Sequence, residues 1–329
     1  MRLMTIAVLV VSGLWFGYWV IGSRGLDAGV TGWLDRLKAD GVAVEWSDVA
    51  VNGFPNRFDL TISDPAIGET SLLQWRADFF QMLTRSYAPY HLIAVWPDSQ
   101  TLTSPLATLT LTNDKARASV RFRPLPSLPL DHAEVVVDQG RLSSTTGWAA
   151  AFTQARFATR QRPDLANAHQ LGLEVLGLTP DPALRQMVQA AAPLPETVGH
   201  LSADLTLQPD APLDRFAFGE VPLHLLRFDL TDVRFEWGSI GLQAQGALSR
   251  DAAGYGEGKI TITLKDWRGL LSLLAATGSL DPVATGTLTR ALEVLERIGG
   301  SPEALEVPIS FAGGRGTVAG LPLLVAPQF

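Results

Sequence analysis

The sequence predicts a mainly β protein of the α+β class, with a long curved antiparallel sheet or β-groove, a few packed helices and one N-terminal transmembrane helix. Three observations predict this fold. Apolar and polar residues alternate over many short runs, which is typical of antiparallel strands with one buried and one solvated face. Helical patterns are few and do not alternate regularly with strands, which argues against a doubly wound fold. An uncharged apolar run opens the chain.

The first segment, residues 1–24, is predicted to be a membrane anchor. Its apolar part begins at Met4, ends at Ile21 and carries no charge. At a rise of about 1.5 Å per residue, a helix of this length spans the hydrocarbon core of a bilayer. Trp15, Tyr18 and Trp19 lie near its outer end, where aromatic rings favour the headgroup boundary.

The orientation of this anchor follows from size rather than from charge. Arg2 and Arg24 are its only flanking charges, so the positive-inside rule gives no direction. A short tail stays inside and a large following region is exported, which predicts a single-pass protein of the bacterial inner membrane with most of its chain in the periplasm. The alternative is a signal peptide cleaved near Val20 and Gly22, and the neighbouring bulky aromatics disfavour it.

Composition narrows the classes of function. The chain has 329 residues and a net charge of −7. It has no basic stripe that could neutralise phosphates, so nucleic acid is not an expected partner. Cysteine is absent, which excludes disulfides, thiolate metal sites and cysteine catalysis.

Residues 227–278 show the strand pattern most clearly, as three strands followed by a helix. Asp266 is the predicted N-cap of that helix and Gly278 its predicted end. Apolar and polar residues alternate in the three strand runs, which are 228–235, 242–248 and 260–264.

Residues 26–40 form another predicted helix, because their apolar side chains recur at helical spacing before Gly41. This segment either continues the membrane helix or lies as a short amphipathic helix on the domain. Gly25, Gly29 and Gly32 weaken a continuous rod. We favour a helix packed on the sheet over one lying at the membrane interface.

Two Asp-Pro pairs, at 181–182 and 281–282, predict two more helix starts, because aspartate caps a helix and proline fits its first turn. The first helix is predicted to end at Pro193. The second is predicted to end at Gly299, with its leucines facing inward, which are Leu288, Leu292 and Leu295.

Two hairpins are predicted in the middle of the chain. Residues 106–111 and 116–122 would pair around the Asn-Asp pair at 113–114, and residues 133–137 would pair with 140–144.

Arg117, Arg121 and Arg123 place cations at even spacing on the exposed face of one of these strands. We favour a solvated edge that resists pairing with other chains. A site for anionic lipid headgroups is the alternative.

The proline-rich segment 124–129 is the predicted internal boundary. It divides the exported part into a first β-rich region, residues 25–126, and a second, residues 127–329. The pentapeptide RFDLT occurs at 57–61 and again at 227–231. This repeat indicates either an internal duplication of a strand unit or a shared strand preference.

A search for chemistry finds no catalytic, cofactor-binding or metal-binding residue to predict. The chain has no G-x-S-x-G elbow, and the glycine-rich residues 313–316 lack the lysine of a phosphate loop and predict a β-turn. Two carboxylates that meet in space, as in a glycosidase, stay an open alternative. The histidines share no metal-ligand spacing, and they are His91, His132, His169, His200 and His224.

The tryptophans of the exported part allow two interpretations. In a sheet protein each is expected to be a core residue. If several lined a concave face instead, they would form an apolar trough suited to acyl chains. These tryptophans are Trp33, Trp46, Trp75, Trp96, Trp148, Trp237 and Trp267.

Five features together resemble an envelope family of alphaproteobacteria, the domain of unknown function 2125. They are the N-terminal anchor, the run NGFPNRF at 52–58, the run from Trp237 to Gly246, the helix start at Asp266-Trp267, and the closing residues 307–322. The resemblance covers nearly the whole chain, and it implies no activity and no catalytic residues.

A looser resemblance is to AsmA-like β-groove envelope proteins, which implies a role in lipid movement or envelope maintenance. This chain is too short to span the periplasm alone. We therefore expect a non-enzymatic, membrane-anchored periplasmic protein without cofactors that binds lipid or acyl chains at the inner membrane. The alternatives are a scaffold that binds other envelope proteins and an unrecognised periplasmic hydrolase.

Overall fold

A computed structural model describes residues 1–69, 72–188, 193–217, 223–299, 304–318 and 321–329. These residues form one large antiparallel sheet with four helices, and the predicted mainly β fold is confirmed. The helices are α1 (Arg2–Ala39), α2 (Pro182–Met187), α3 (Trp267–Ala276) and α4 (Pro282–Gly299). The first ten strands are β1 (Val44–Glu45), β2 (Asp48–Asn52), β3 (Arg57–Ser63), β4 (Ala66–Glu69), β5 (Leu73–Ala77), β6 (Phe79–Arg85), β7 (Ala88–Trp96), β8 (Ser99–Thr103), β9 (Thr108–Thr112) and β10 (Lys115–Phe122).

The remaining strands are longer on average and run to the end of the chain. They are β11 (Leu130–Ser144), β12 (Ala149–Gln161), β13 (His169–Leu176), β14 (Thr179–Pro180), β15 (His200–Pro209), β16 (Leu225–Trp237), β17 (Ile240–Arg250), β18 (Gly256–Lys265), β19 (Leu305–Ala312), β20 (Arg315–Val318) and β21 (Leu321–Val325). Within this set, β16, β17, β18 and α3 are the predicted three strands and helix, in that order.

The first ten strands are five long strands, each broken near its middle. Their first branch of pairing runs β2–β3–β6–β7–β10–β11, and their second runs β1–β4–β5–β8–β9–β11. Each long strand therefore pairs with the one before it and the one after it in the chain. The breaks line up across the sheet, since Asp64 N donates to Asp78 O at 2.8 Å and Asn113 N donates to Asp98 O at 2.9 Å.

The predicted hairpin around residues 113–114 is wrong for this reason. β9 and β10 lie end to end and pair with other strands, β9 with β8 and β11, β10 with β7 and β11. The buried side chain of Asn113 donates to Pro97 O at 3.2 Å, which fixes the break to the neighbouring strand. The hairpin predicted from 133–137 and 140–144 is also wrong, because both runs belong to β11 and Gln139 forms an irregularity between them with φ of 52°.

The sheet is a meander in which each long strand pairs with the one before it and the one after it. The turns between these strands lie at two opposite ends of the sheet, which we call the proximal end and the distal end. The proximal end carries the turns that follow β2, β6, β10, β12, β15, β17 and β19. The distal end carries the turns that follow β8, β11 and β16, together with α2, α3 and α4.

Helix α1 is continuous through Gly25, Gly29 and Gly32, and its second half packs on the sheet. Leu34 is its best buried side chain and packs with Val44 and Ile62. Tertiary burial outweighs the low helix propensity of the glycines, since most helical stability in proteins comes from packing. The predicted packed helix and the membrane helix are thus one element.

The distal helices begin where the sequence predicts. Asp266 caps α3 through Gly269 N at 3.2 Å, and Asp181 caps α2 through Ala183 N at 2.6 Å. The leucines of α4 that were expected to face inward do so, since Leu292 is buried and its two partners pack beside it. Helix α2 is shorter than predicted, because the backbone is extended at Val188, with ψ of 119°.

The prolines at 124–129 connect β10 and β11, which pair directly with each other in one sheet. The regions 25–126 and 127–329 therefore share this sheet, and their separation at 126 stays a prediction. The RFDLT repeat falls at the proximal starts of β3 and β16. In both copies the arginine forms an ion pair with the aspartate two residues later.

Candidate functional site

One face of the sheet, the inner face, is apolar across nearly every strand. The register of the strand pairs places a continuous row of aliphatic and aromatic side chains directly opposite one another. The row contains Leu60, Met82, Ala94, Ala118, Val135, Phe157, Leu173, Ala203, Val233, Ala244, Ile262 and Val307. A second row of the same character lies two residues away on each strand and begins at Trp96 and Ala116.

The opposite face of the same strands, the outer face, is polar over most of its width. Arg156 lies opposite Glu174, and the row continues through Ser202 and Arg234 to Gln243. Charged and polar side chains at these positions are solvated. This alternation fixes which face turns away from water, because a shift of register by one residue would exchange the two faces.

The middle of the inner face is open to solvent. The distal helices α3 and α4 pack over β17 and β19, and α1 packs over β1, β2 and β3. Between these covered ends, Phe157 on β12 is 37% exposed and Leu173 on β13 is 39% exposed. An adjacent pair of large apolar side chains at this exposure is an exposed apolar surface rather than a packed core.

Beside this open surface, a cavity of about 500 Å³ lies between α1 and the first strands of the sheet, at the level of the strand breaks. Its volume falls in the range of about 300–1,000 Å³ that is usual for small-molecule sites. Glu45 is the one charged residue among the described lining residues, and its carboxylate lies 3.5 Å from the guanidinium of Arg76. The lining is Gly29, Val30, Trp33, Leu34, Glu45, Trp46, Ile62, Pro65, Ile67, Trp75, Phe80, Met82 and Trp96.

Four of the tryptophans, Trp33, Trp46, Trp75 and Trp96, therefore line one cavity. Trp75 Nε1 donates to Gln100 Oε1 at 3.0 Å, so its polar atom is satisfied while its ring contributes to the wall. Phe80 stands between Trp75 and Trp96, with ring centroids 6.4 Å and 5.3 Å away. Such aromatic contacts hold the wall in a fixed shape.

The core interpretation is confirmed for the two C-terminal tryptophans instead. Trp237 is fully buried and Trp267 nearly so, in the cluster beneath α3 and α4. Trp237 Nε1 donates to Pro195 O at 2.9 Å. Trp148 is half-buried and joins neither group.

Helix α1 joins the cavity to an apolar segment at its N-terminal end. Over the described residues it is the one helix long and apolar enough to cross a bilayer, with a mean hydropathy of 1.9 and no buried side chain in its most apolar window. Trp15 and Trp19 donate through Nε1 to Pro55 O and Arg57 O, at 2.9 and 2.8 Å, and Trp19 stacks on Phe58. The proximal end thus lies beside the outer part of the apolar segment, and residues 2–14 project beyond it.

None of the histidines is among the described residues that line the cavity. Burial, followed by the charge of Arg123, lowers the pKa of His169, and His169 Nδ1 has no hydrogen-bond partner among the described residues. Burial and then Arg121 lower the pKa of His91, whose Nε2 lies 2.9 Å from Ser119 Oγ. In the described parts of the chain, no group of three or more His, Asp or Glu residues is placed to hold a metal ion.

A family model described as an uncharacterized protein conserved in bacteria, DUF2125, matches residues 19–327. The chain belongs to the DUF2125 family. The resemblance seen in the sequence is thereby confirmed, and the matched region contains the cavity and the whole inner face. A DUF2125 domain in this chain therefore begins within α1. No curated protein matches the chain.

The sequence did not reveal that Trp33, Trp46, Trp75 and Trp96 share a cavity. Trp46, Trp75 and Trp96 each lie close to a break in a long strand, where the alternation of inward and outward side chains is interrupted. These three tryptophans lie on the first, third and fourth of the five long strands, so their spacing in the sequence gave no regular signal. Gly29 and Val30 line the cavity because α1 is one continuous helix, whereas the glycines of this segment had argued against a continuous helix.

Proposed function

We propose that this protein is a non-enzymatic, membrane-anchored lipid-binding protein of the cell envelope, with its sheet on the periplasmic side of the inner membrane. In this proposal the tryptophan-lined cavity and the open inner face hold the acyl chain of a membrane lipid. The observation that carries the proposal is the continuity of three features, which are the apolar segment of α1, the cavity beneath α1 and the apolar floor at Phe157 and Leu173.

The chemistry of the lining favours a hydrocarbon ligand over a polar one. A polar ligand would lose its hydrogen bonds to water and find few partners in a wall of indole, aliphatic and thioether groups. An acyl chain gains about 0.8 kcal/mol for each methylene that is removed from water. The lining also offers no arrangement of nucleophile and base, which supports a binding role.

The proposed periplasmic orientation rests on the large region that follows the apolar segment of α1. A reporter enzyme that is active only in the periplasm, fused after Phe329, should be active in cells. A fusion that is active only in the cytoplasm would contradict this part of the proposal.

Lipid binding is tested with the full-length protein in nanodiscs that contain a phospholipid with a photoreactive diazirine near the end of its acyl chain. After irradiation, we expect labelled peptides from the cavity and from β12 and β13, in addition to the labelled apolar part of α1. Labelling confined to residues 2–21 would contradict the proposal.

A matched pair of variants identifies the face that binds. Leu173→Glu places a charge on the inner face, whereas Leu176→Glu places one on the outer face of the same strand, where Leu176 is 47% exposed. We expect Leu173→Glu to reduce labelling of β12 and β13 by at least fivefold and Leu176→Glu to leave it unchanged. Equal effects of the two variants, with equal melting temperatures, would contradict a ligand on the inner face.

A further inference from the structure

The turns of the proximal end form a connected edge that begins at the membrane helix. Tyr18 Oη donates to Ser86 O at 2.6 Å, and Ser86 N donates to Asn56 O at 2.9 Å. These bonds join α1 to the turn after β2 and to the turn after β6. Both turns are therefore held at the level where the aromatic residues of α1 lie.

The edge continues through the next turns. Arg121 pairs with His91 across β10 and β7, so the segment after β10 lies beside the turn before β7. Leu130 N donates to Leu213 O at 2.7 Å and Arg215 N donates to Ser127 O at 3.1 Å. These bonds connect the turn after β10 to the loop after β15.

Each of these turns presents one large apolar side chain that is at least half exposed. We name the set the rim, and it consists of Phe54, Tyr87, Leu125 and Phe216. Single exposed apolar residues are ordinary on a protein surface. Four of them on adjacent turns, at the edge from which an apolar helix projects, indicate a surface for a partly apolar partner.

Arginines accompany the rim. The guanidinium of Arg85 lies 5.9 Å from the ring centroid of Tyr87, and that of Arg215 lies 4.6 Å from the ring centroid of Phe216. Arg121 and Arg123 are exposed at the end of β10. Among the described residues, none of these arginines has a carboxylate within ion-pair distance.

Two acidic groups of this edge have other partners, since Asp131 lies 3.0 Å from His132 Nδ1 and Asp214 accepts a hydrogen bond from Phe216 N at 2.9 Å. The four arginines, without an ion-pair partner among the described residues, place positive charge at this edge of a chain whose net charge is −7. Such charge is complementary to phosphate groups.

We propose that the rim lies on the anionic surface of the bilayer that α1 crosses. Its apolar tips insert among the lipid headgroups, and Arg85, Arg123 and Arg215 bind lipid phosphates. Aromatic rings favour the headgroup region and basic side chains favour anionic leaflets.

The membrane is favoured over a protein partner because the anchor and the rim are physically continuous. Trp15 and Tyr18 contact the same turns that carry Phe54 and Ser86. A surface tethered this closely to a bilayer experiences a high effective concentration of lipid. The interaction needs little intrinsic affinity to persist.

The absence of cysteine allows a direct test on the full-length protein. Bimane is attached at Leu125→Cys or Phe216→Cys, in nanodiscs of phosphatidylglycerol and phosphatidylcholine that contain lipids with a quencher near the headgroup. The control label is at Leu106→Cys, an exposed residue of a distal turn. We expect at least threefold stronger quenching at both rim positions than at Leu106. Equal quenching at all three positions would overturn the proposal.

The contribution of charge is tested in the same labelled protein. We expect Arg85→Gln/Arg123→Gln/Arg215→Gln to reduce rim quenching by at least half in phosphatidylglycerol nanodiscs and to have no effect in phosphatidylcholine alone. The control variant neutralises exposed distal arginines, as Arg141→Gln/Arg290→Gln/Arg297→Gln, and should leave quenching unchanged. A rim variant with unchanged melting temperature and unchanged quenching would overturn the role of the anionic surface.

Discussion

The inner face is covered by helices at both of its ends, beneath α1 and beneath α3 and α4, yet only the second of these regions is packed solid. Beneath α3 and α4, Trp237 is 0% exposed and the neighbouring leucines fill the space around it. Beneath α1, four tryptophans surround about 500 Å³ that no side chain occupies. A void of this kind forfeits dispersion contacts along its walls.

The comparison shows that tryptophan has two roles in this molecule, as packed core beneath α3 and α4 and as cavity wall beneath α1. The amphipathic helices α3 and α4 place leucines against the sheet along their whole length. Helix α1 contacts the sheet through its aromatic segment at Trp19 and Gly22 and again at Leu34, with Gly29 between them. The small residue in the middle of the helix keeps the space beneath it open.

The largest expected loss of stability comes from a substitution in the packed cluster at the distal end. Trp237→Ala should lower the free energy of unfolding by about 3–5 kcal/mol, because it removes a fully buried ring from a packed cluster. Trp75→Ala should cost less than half as much, because its ring already borders open space. Urea unfolding of both full-length variants in the same detergent measures this contrast, and equal losses would contradict the difference between the two ends.

A second substitution disturbs the contact between α1 and the proximal part of the sheet. A Cβ atom at Gly22 would lie 2.7 Å from Cζ of Phe58, whereas one at Gly25 would meet no atom within 4 Å. Gly22→Val should therefore destabilise the protein by about 1–3 kcal/mol through overpacking and increase acrylamide quenching of the cavity tryptophans. Gly25→Ala is the control and should be neutral or stabilising by up to about 1 kcal/mol. A harmless Gly22→Val would show that α1 does not rest on Phe58.

A smaller effect is expected at the start of α4. The carboxylate of Asp281 accepts hydrogen bonds from Val283 N and Ala284 N, both at 2.8 Å. Asp281→Ala should cost about 1 kcal/mol, as other N-cap losses do, and Asp35→Ala on the exposed side of α1 should cost almost nothing. Thermal unfolding measures the stability of both variants. If Asp281→Ala costs no more stability than Asp35→Ala, the Asp281 cap does not stabilise α4.

The smallest effect is a pH dependence from His169, which is 2% exposed. Burial lowers its pKa from 6.5 in the folded state, so the unfolded chain binds the proton more readily. Its contribution to stability is therefore present above about pH 6.5 and is lost as pH falls through the folded pKa. His169→Gln should flatten the dependence of the melting temperature on pH below 6.5, and an unchanged slope would assign that dependence to other groups.

Sequence patterns predicted the β-rich class, the caps at Asp181, Asp266 and Asp281, and the apolar anchor, because each depends on neighbouring residues alone. The breaks at residues 113–114 and at Gln139 were misjudged, because a local turn signal does not distinguish a hairpin from a bend within one strand. The four-tryptophan cavity depends on strand register across several breaks and on a helix that returns over them. That information is distributed over residues 29–96 rather than in one motif.

The uninterrupted succession of strand pairs has a consequence for how the protein reaches its folded form. Each long strand requires only the preceding one as its template, so no strand waits for a distant part of the chain. The sheet can therefore grow in the order in which the polypeptide emerges, starting on α1. At every intermediate stage there is one unfinished edge that accepts the next strand, and the final edge belongs to the last residues to arrive.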